Sequence, residues 1–181
     1  MMEPKVLLSD KKINVILNRL CHQLIEKHGD FSNTVLIGLQ PRGAFLLDHL
    51  VSRLTQIGVS TLKTGKLDTT FFRDDFRRGN RPLDAKTTEI NQSIEGKNIV
   101  LIDDVLFTGR SIRSALTAID TYGRPNSIEL LVLIDRRFSR HLPIQPDYLG
   151  AQIDALQGDR VKVIWSEKPN ESLVYLEKMQ E

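Results

Sequence analysis

Apolar residues in this chain alternate between short continuous runs and helical periods, and this alternation predicts the fold class. Runs at 34–39, 98–102, 128–134 and 161–165 are typical of strands buried on both faces of a parallel sheet. A helical period from Asp10, its plausible cap, to Gly29 has its apolar stripe at Ile13, Ile16, Leu17, Leu20 and Leu24. Strands that alternate with helices form βαβ units, so we predict an α/β fold with a mainly parallel central sheet flanked by helices.

Two further segments complete the predicted elements. A second helix follows the first strand through Phe45, Leu46, Leu50 and Leu54 to Gly58. The stretch 60–72 is typical of a strand interrupted by Gly65, after which apolar residues almost vanish until Ile94.

Composition narrows the class of protein without identifying it. The 181 residues suffice for one sizeable core but not for two ordinary domains, so we predict a single domain over 1–181. A formal net charge of +2 is no global signature of nucleic-acid binding, so any RNA site must be a local patch. No apolar run is long enough for a signal sequence or a membrane span, and Cys21 is the only cysteine, so we expect a cytoplasmic protein without disulfides. Cys21 flanks the apolar stripe of the first helix, where packing is favoured over chemistry.

The most informative segment spans 99–111 and reads Ile-Val-Leu-Ile-Asp-Asp-Val-Leu-Phe-Thr-Gly-Arg-Ser. Asp103 and Asp104 follow a buried strand, at the edge where open α/β sheets bind ligands. Adjacent carboxylates need hydroxyls, a cation or solvent around them, and a ribose diol would serve. Thr108 to Ser111 begin a helix, whose first N–H groups attract phosphate. An ordinary strand–loop–helix connection, with Asp or Ser as the N-cap of the helix, would explain one acidic residue and one hydroxyl. It would not explain the aspartate pair together with the segment 108–111, so we favour a sugar-phosphate site.

This segment resembles the PRPP-binding motif of the type I phosphoribosyltransferases, where PRPP is phosphoribosyl pyrophosphate. Segments 38–43, 68–75, 123–125 and 142–150 follow in the order and spacing of one branch of that family. Members of the branch regulate pyrimidine operons and are also uracil phosphoribosyltransferases. The similarity covers nearly the whole chain.

The resemblance implies a type I phosphoribosyltransferase fold with a small hood near 136–160 and a flexible loop near 73–92. It implies catalytic roles for Asp103, Asp104, Arg42 and Arg73, with Arg73 reaching the site of a neighbouring subunit. The residues implied for the 5′-phosphate of PRPP are Leu106, Phe107, Thr108, Gly109, Arg110 and Ser111. Those implied for pyrophosphate are Gln40, Pro41, Arg42 and Gly43. Mg²⁺ is the implied cofactor; it would arrive with PRPP, and Asp103 and Asp104 are candidate ligands.

The turn 39–43 lies between a predicted strand and a predicted helix, so Arg42 should face the same crevice as the aspartate pair. An arginine suits pyrophosphate, whose oxygens accept bidentate donation. A tight turn that needs its proline and glycine only for geometry is the alternative. We also expect a strained or cis peptide near 39–41, because a cis peptide bond before Pro41 would cost little free energy.

The segment 73–89 contains Arg77, Arg78 and Arg81 and almost no apolar residue. Composition alone fits a mobile lid or a disordered surface loop equally. The resemblance favours a lid that closes over PRPP and excludes water.

The implied reaction is substitution at the anomeric carbon of PRPP by N1 of uracil, which gives UMP and pyrophosphate. Positive charge develops on the ribose and negative charge on the leaving pyrophosphate. Asp103 and Asp104 would hold the ribose hydroxyls and offer compensating negative potential, while Arg42 and Mg²⁺ would take up the leaving charge.

The resemblance places base selection in the hood, with Arg136 and Arg137 as candidates. Many relatives have a Gly-His pair close behind Asp-Arg, whereas this chain reads Arg136-Arg-Phe-Ser-Arg-His and adds a residue. The two arginines either donate to base carbonyls or form a solvated basic turn.

A regulatory role rests on the first helix. Lys12, Arg19 and His22 lie opposite its apolar stripe, on a face that is usually only solvated. In the branch that the chain resembles, this helix and the hood belong to a dimer face that binds operon leader RNA, with uridine nucleotides (UMP, UTP) as co-effectors. Arg19, His22 and Arg140 are the RNA-binding candidates, in a homodimer or higher homo-oligomer.

The sequence is compatible with three hypotheses. The first is a uracil phosphoribosyltransferase that also regulates pyrimidine genes by transcription attenuation. The second is a purine (hypoxanthine or guanine) phosphoribosyltransferase, which the altered hood would permit. The third is an RNA-binding regulator that uses the site only as a nucleotide sensor, and the intact aspartate pair, Arg42 and phosphate loop argue against it.

Overall fold

The computed structural model describes residues 5–72, 85–155, 158–166 and 171–178. Five parallel strands form the central sheet in the order β3-β2-β4-β5-β6. Their bounds are β2 Thr34–Leu39, β3 Lys63–Leu67, β4 Asn98–Leu106, β5 Ser127–Arg137 and β6 Tyr148–Asp154. The predicted α/β class and parallel sheet are confirmed.

In the described part of the chain, three α-helices cover this sheet on its two faces: α1 Asp10–His28, α2 Arg42–Ile57 and α3 Arg110–Ile119. Side chains of successive strand residues point to opposite faces. Leu36 accordingly packs in the core with α1 and α2, whereas Val35 and Ile37 pack in the core with α3. Burial on both faces explains why the strand sequences are continuously apolar.

A second, antiparallel sheet has the order β1-β8-β7 and is built from β1 Lys5–Leu8, β7 Arg160–Ile164 and β8 Leu173–Glu177. Leu8, Val161 and Val174 of this sheet join the core that α1 and α2 cover. Within the range 136–160, expected to form a hood, β6 lies at the edge of the central sheet, and β7 of the small sheet starts at Arg160. Strands β1, β6 and β8 were not predicted, because they are short or mix polar with apolar residues.

Several boundaries differ from the sequence prediction. Ser9, not Asp10, is the cap residue of α1. Strand β3 is continuous through Gly65 and pairs with β2 along its length. A glycine fits closely there, because a Cβ atom would lie 3.1 Å from both the Glu89 carbonyl oxygen and the Ile90 side chain, which is tighter than ordinary contact. Strands β4 and β5 extend beyond their apolar runs because they pair with each other as far as Leu106 and Asp135.

The expected flexible loop lies only partly within the described residues, since 73–84 fall outside them. The part that follows is bound to the sheet edge. The Lys66 N–H donates to the Glu89 carbonyl oxygen at 2.9 Å, and the Gln40 side-chain amide donates to the Thr87 carbonyl oxygen at 2.6 Å. Among the described helices, none is both long and apolar enough to span a membrane.

Candidate active site

A cleft of about 560 Å³ opens at the carboxyl ends of β2 and β4, and its size suits a small ligand. Its walls come from the turn before α2, the end of β4, the start of α3 and strand β7. The predicted site residues that line it are Gln40, Pro41, Arg42, Asp103, Asp104, Phe107, Ser111 and Arg136. The structure therefore brings together residues from the predicted ribose, pyrophosphate, phosphate and base groups.

The aspartate pair combines burial with incomplete hydrogen bonding. Asp104 is 4% exposed and Asp103 is half-buried. The Asp104 N–H donates to Oδ1 of Asp103 at 2.9 Å, but Oδ2 of Asp104 is buried and has no hydrogen-bond partner among the described residues. A buried oxygen of this kind is costly unless a ligand supplies a donor.

Burial and repulsion make these carboxyl groups poor acids. Burial, followed by the charge of Asp104, raises the pKa of Asp103 well above its usual range. Burial also raises the pKa of Asp104, and the positive charge of Arg42 opposes the shift in both. Hydroxyl donors or a cation that approached the pair would relieve this cost.

The turn before α2 lies directly against the aspartate pair. A Cβ atom on Gly43 would lie 2.2 Å from the Ile102 carbonyl oxygen and 3.0 Å from Cα of Asp103, so glycine allows α2 to start beside the end of β4. Arg42 is the first residue of α2 and lines the cleft. The peptide bond between Gln40 and Pro41 is cis, which confirms that expectation.

The loop 106–111, the predicted phosphate loop, connects β4 to α3. Gly109 has a φ of +88°, in the left-handed region that favours glycine, and it precedes the first turn of α3. The Leu106 side chain is buried in the core, so only its backbone could take part in ligand binding. The Arg110 N–H donates to Thr108 Oγ1 at 3.3 Å, and Ser111 faces the cleft.

The two hood candidates point in different directions, as adjacent residues on a strand do. Arg136 is 5% exposed, lines the cleft and stacks on the Phe107 ring with its guanidinium carbon 4.0 Å from the ring centroid. Arg137 instead forms a bidentate ion pair with Asp154 of β6, with 2.6 Å between Nη2 and Oδ2. Arg136 is therefore the one of the two that can face a base in this cleft.

Sequence reasoning missed several residues of the cleft wall. Thr69 and residues 160–162 also line it, and Lys162 pairs there with Glu177 at 2.7 Å between Nζ and Oε1. The alternation of Arg160, Val161, Lys162 and Val163 was the available signal, because it predicts a strand with one basic face. Residues 160–162 are far from the aspartate pair in the sequence, so the sequence alone did not indicate that they line the same cleft.

Three other predicted residues, Arg19, His22 and Arg140, do not line the cleft. Arg73 falls outside the described residues. His22 is exposed on α1, and Arg19 on the same helix donates through Nη2 to the carbonyl oxygens of Leu149 and Gly150 at 2.9 and 2.7 Å. Arg140 pairs with Asp135 and donates to the Phe107 carbonyl oxygen.

No cluster of three or more His, Cys, Asp or Glu side chains suits a metal ion within the described parts of the chain. The aspartate pair offers carboxylate oxygens, the donor type that Mg²⁺ prefers, with one buried oxygen unpartnered. Such a pair fits a metal that completes its coordination with substrate oxygens and water.

Comparisons with known proteins agree with this geometry. The model of the phosphoribosyl transferase domain matches residues 5–171. Proteins named bifunctional protein PyrR are similar over most of the chain. Those of Actinobacillus pleuropneumoniae and Gloeothece citriformis are 40% and 43% identical over 159 and 157 residues, which cover 88% and 87% of this chain and 88% of each relative.

Solved structures share the fold at lower identity. A hypoxanthine phosphoribosyltransferase from Staphylococcus aureus has a TM-score of 0.68 at 22% identity, over 97% of this chain and 92% of that one. The corresponding enzyme of Trypanosoma cruzi has a TM-score of 0.70 at 18% identity, over 97% of both chains. At these identities the likeness supports the fold alone.

Proposed function

The chain belongs to the phosphoribosyltransferase family and, within it, to the PyrR proteins; on that premise we propose that it transfers the phosphoribosyl group of PRPP to uracil. The products are UMP and pyrophosphate. The observation that carries the proposal is the aspartate pair, which lines the cleft together with Arg42 and the start of α3, and in which Asp104 Oδ2 is buried without a hydrogen-bond partner among the described residues. Ribose hydroxyl groups are the donors that this pair lacks.

Each part of the site has a task in this reaction. Asp103 and Asp104 accept hydrogen bonds from the ribose hydroxyls, and their negative charge stabilises the positive charge that develops on the ribose. The N–H groups of 108–111 bind the 5′-phosphate, and this remote binding energy orients the anomeric carbon. Arg42 and the turn 40–43 receive the pyrophosphate as its bond to the anomeric carbon breaks. Arg136, which lines the cleft, is the residue that we assign to contact with the base.

Mg²⁺ fits the carboxylate oxygens of this pair, with its other ligands supplied by PRPP and water. When bound, the ion neutralises charge on the leaving pyrophosphate. We propose that Asp103 and Asp104 hold it together with the ribose, which also relieves the repulsion between the two carboxylates.

Catalysis is tested by measuring pyrophosphate release from PRPP and Mg²⁺ with uracil, hypoxanthine or guanine as the second substrate. We expect release with uracil. Release with a purine base alone would favour the purine enzyme, which the altered segment after Asp135 permits. No release with any base, combined with tight UMP binding, would favour the nucleotide sensor.

The second activity in the proposal is UMP-responsive binding to the leader RNA of pyrimidine genes. The exposed face of α1 with His22, and the neighbouring Arg19, support it as a local site on a chain with little net charge. Arg140 remains a weaker RNA candidate, because its guanidinium already binds Asp135 and Phe107. A gel shift on the leader RNA of this chain's own operon should show tighter binding with UMP, and His22→Ala should weaken it.

We further propose a homodimer or higher homo-oligomer, in which Arg73 reaches the neighbouring site. Analytical ultracentrifugation tests the assembly. Mixing Arg73→Ala with an Asp103→Asn, Asp104→Asn variant tests the shared site: mixed oligomers should regain activity if Arg73 acts across the interface.

A further inference from the structure

Arg140 connects the end of β5 to the phosphate loop. Its Nη1 donates to the Phe107 carbonyl oxygen at 2.5 Å, and its Nη2 forms an ion pair with Asp135, the residue of β5 that pairs with Leu106. The Arg140 and Asp135 side chains are only 22% and 9% exposed. A pair so shielded from water is screened less than a surface ion pair.

Two more contacts join the segment after β5 to the same loop. The His141 N–H donates to the Thr108 carbonyl oxygen at 3.0 Å. The Ile144 and Leu142 side chains lie against Gly109, so that a Cβ atom there would be 3.2 Å from Cδ1 of Ile144. Successive loop carbonyl groups, those of Phe107 and Thr108, are thus held by the segment after β5.

We propose that Arg140 is a positioning residue for the 5′-phosphate of PRPP and of UMP. Its guanidinium group binds both the Phe107 carbonyl oxygen and the Asp135 carboxylate. These two contacts set the orientation of the phosphate loop before a ligand binds. The inference rests on the proposed function for the identity of the ligands. It concerns binding, because Arg140 lies behind the loop and contacts no reacting atom.

The fork matters because one cation has to reach two acceptors. An arginine presents several donors in a planar arrangement, whereas a lysine ammonium is a single point charge. We expect Arg140→Ala to weaken PRPP and UMP binding roughly tenfold, since a loop that is no longer held must be ordered by the ligand. Arg140→Lys should restore only part of this loss.

Calorimetry with three ligands tests the role more sharply than activity does. PRPP, UMP and inorganic pyrophosphate are titrated with Mg²⁺ into the wild type and into Arg140→Ala. PRPP and UMP carry the 5′-phosphate, so both should bind about equally more weakly. Pyrophosphate binds at the turn 40–43 and should be unaffected. In kinetics the KM for PRPP should rise while kcat stays near the wild-type value.

Arg53→Ala is the matched control for a merely structural effect. The Arg53 guanidinium also makes two contacts, to Asn14 and to Asn18 of α1, but away from the loop. This variant should lose stability without any selective change among the three ligands. Asp135→Asn should reproduce the Arg140→Ala profile, and the double variant should be no worse than either single one.

The outcomes separate this inference from the proposed function. Wild-type protein that fails to bind PRPP and UMP would overturn both. Normal binding by wild type with equal binding by Arg140→Ala, or an equal loss for all three ligands, would overturn the positioning role alone.

Discussion

Two polar clusters lie at opposite ends of the central sheet and differ in how completely their buried groups are hydrogen bonded. At the carboxyl ends, the aspartate pair leaves a buried oxygen without a partner among the described residues. At the amino ends, a second cluster, here called the basal network, consists of Lys27, His28, Thr34, Glu129 and Tyr148. In the basal network, Tyr148 Oη donates to Glu129 Oε2 at 2.6 Å, and Lys27 Nζ lies 3.0 Å from Oε1 of the same carboxylate.

The pKa shifts of the carboxyl groups run in opposite directions. Burial would raise the pKa of Glu129, but donation by Tyr148 and Lys27 outweighs it and lowers that pKa. In the aspartate pair burial prevails and both pKa values rise. The basal network therefore stabilises the fold, whereas the aspartate pair costs stability that a ligand would recover.

Replacing both aspartates should have the largest effect. Asp103→Asn with Asp104→Asn should lower kcat/KM about 10³-fold or more, because compensating charge in the transition state is lost. The free energy of unfolding, in contrast, should not fall at neutral pH and should be at least that of the wild type. Since the folded-state pKa values are raised, ionised carboxylates disfavour folding at neutral pH and cease to do so as pH falls toward the ordinary aspartate value near 4.

Urea unfolding across pH checks this second part. The double variant should be at least as stable as wild type at pH 7, with an advantage that shrinks in acid. A loss of stability at pH 7 would mean that the pair is structural.

Arg42→Gln should have the next largest effect. The Arg42 charge lowers the pKa of both aspartates, so its removal should move the acid limb of kcat/KM to higher pH. Lost contact with pyrophosphate should also reduce activity at neutral pH by about 10²-fold. Lys97→Gln, which removes a cation at the amino end of the sheet, is the control and should leave the pH profile in place. An unshifted acid limb in Arg42→Gln would mean that the Arg42 charge does not influence the pKa of the aspartate pair.

Tyr148→Phe should affect the basal network without affecting catalysis. It removes the hydroxyl that binds both Glu129 and His28, so the free energy of unfolding should fall by about 1–3 kcal/mol. Tyr122→Phe removes an exposed hydroxyl and should change stability little. If Tyr148→Phe lowered kcat/KM of the folded enzyme, the two ends of the sheet would not be independent.

The smallest expected effect is a pH dependence that originates at His28. Burial lowers the pKa of His28, whose Nδ1 lies 3.1 Å from Thr34 Oγ1. Below about pH 6.5 the unfolded chain gains a proton that the folded one does not, so wild-type stability should fall as pH drops. The slope from one proton is at most about 1.4 kcal/mol per pH unit.

The His28→Gln variant should lose this part of the pH dependence of stability. It occurs at higher pH than the range in which Glu129 titrates. Unfolding curves measured between pH 7 and pH 5 would show it. Identical slopes in wild type and variant would contradict the assignment.

The sequence predicted those parts of the molecule that are local in the chain. Residues 99–111 contain a strand, two acids and a helix start in succession, so the aspartate pair and the phosphate loop could be identified without tertiary information. The helices α1 and α2 end at Gly29 and Gly58 as predicted, because left-handed or otherwise unusual backbone at those glycines ends a helix.

What escaped prediction depends on contacts distant in sequence. Strand β7, which pairs with β8, contributes Arg160 and Lys162 to a cleft whose aspartate pair lies far away in the sequence. Arg19 and Arg140 look like free surface cations in the sequence, yet each binds backbone carbonyl groups of a distant element. Periodicity cannot distinguish a solvated arginine from one that fixes a loop.

The most direct test is a crystal structure of the complex with PRPP and Mg²⁺. We predict that the ribose hydroxyl groups lie within hydrogen-bond distance of the Asp103 and Asp104 carboxylates. The 5′-phosphate should accept hydrogen bonds from the backbone N–H groups of 108–111. PRPP bound elsewhere, or bound here with its ribose away from the aspartate pair, would contradict the account.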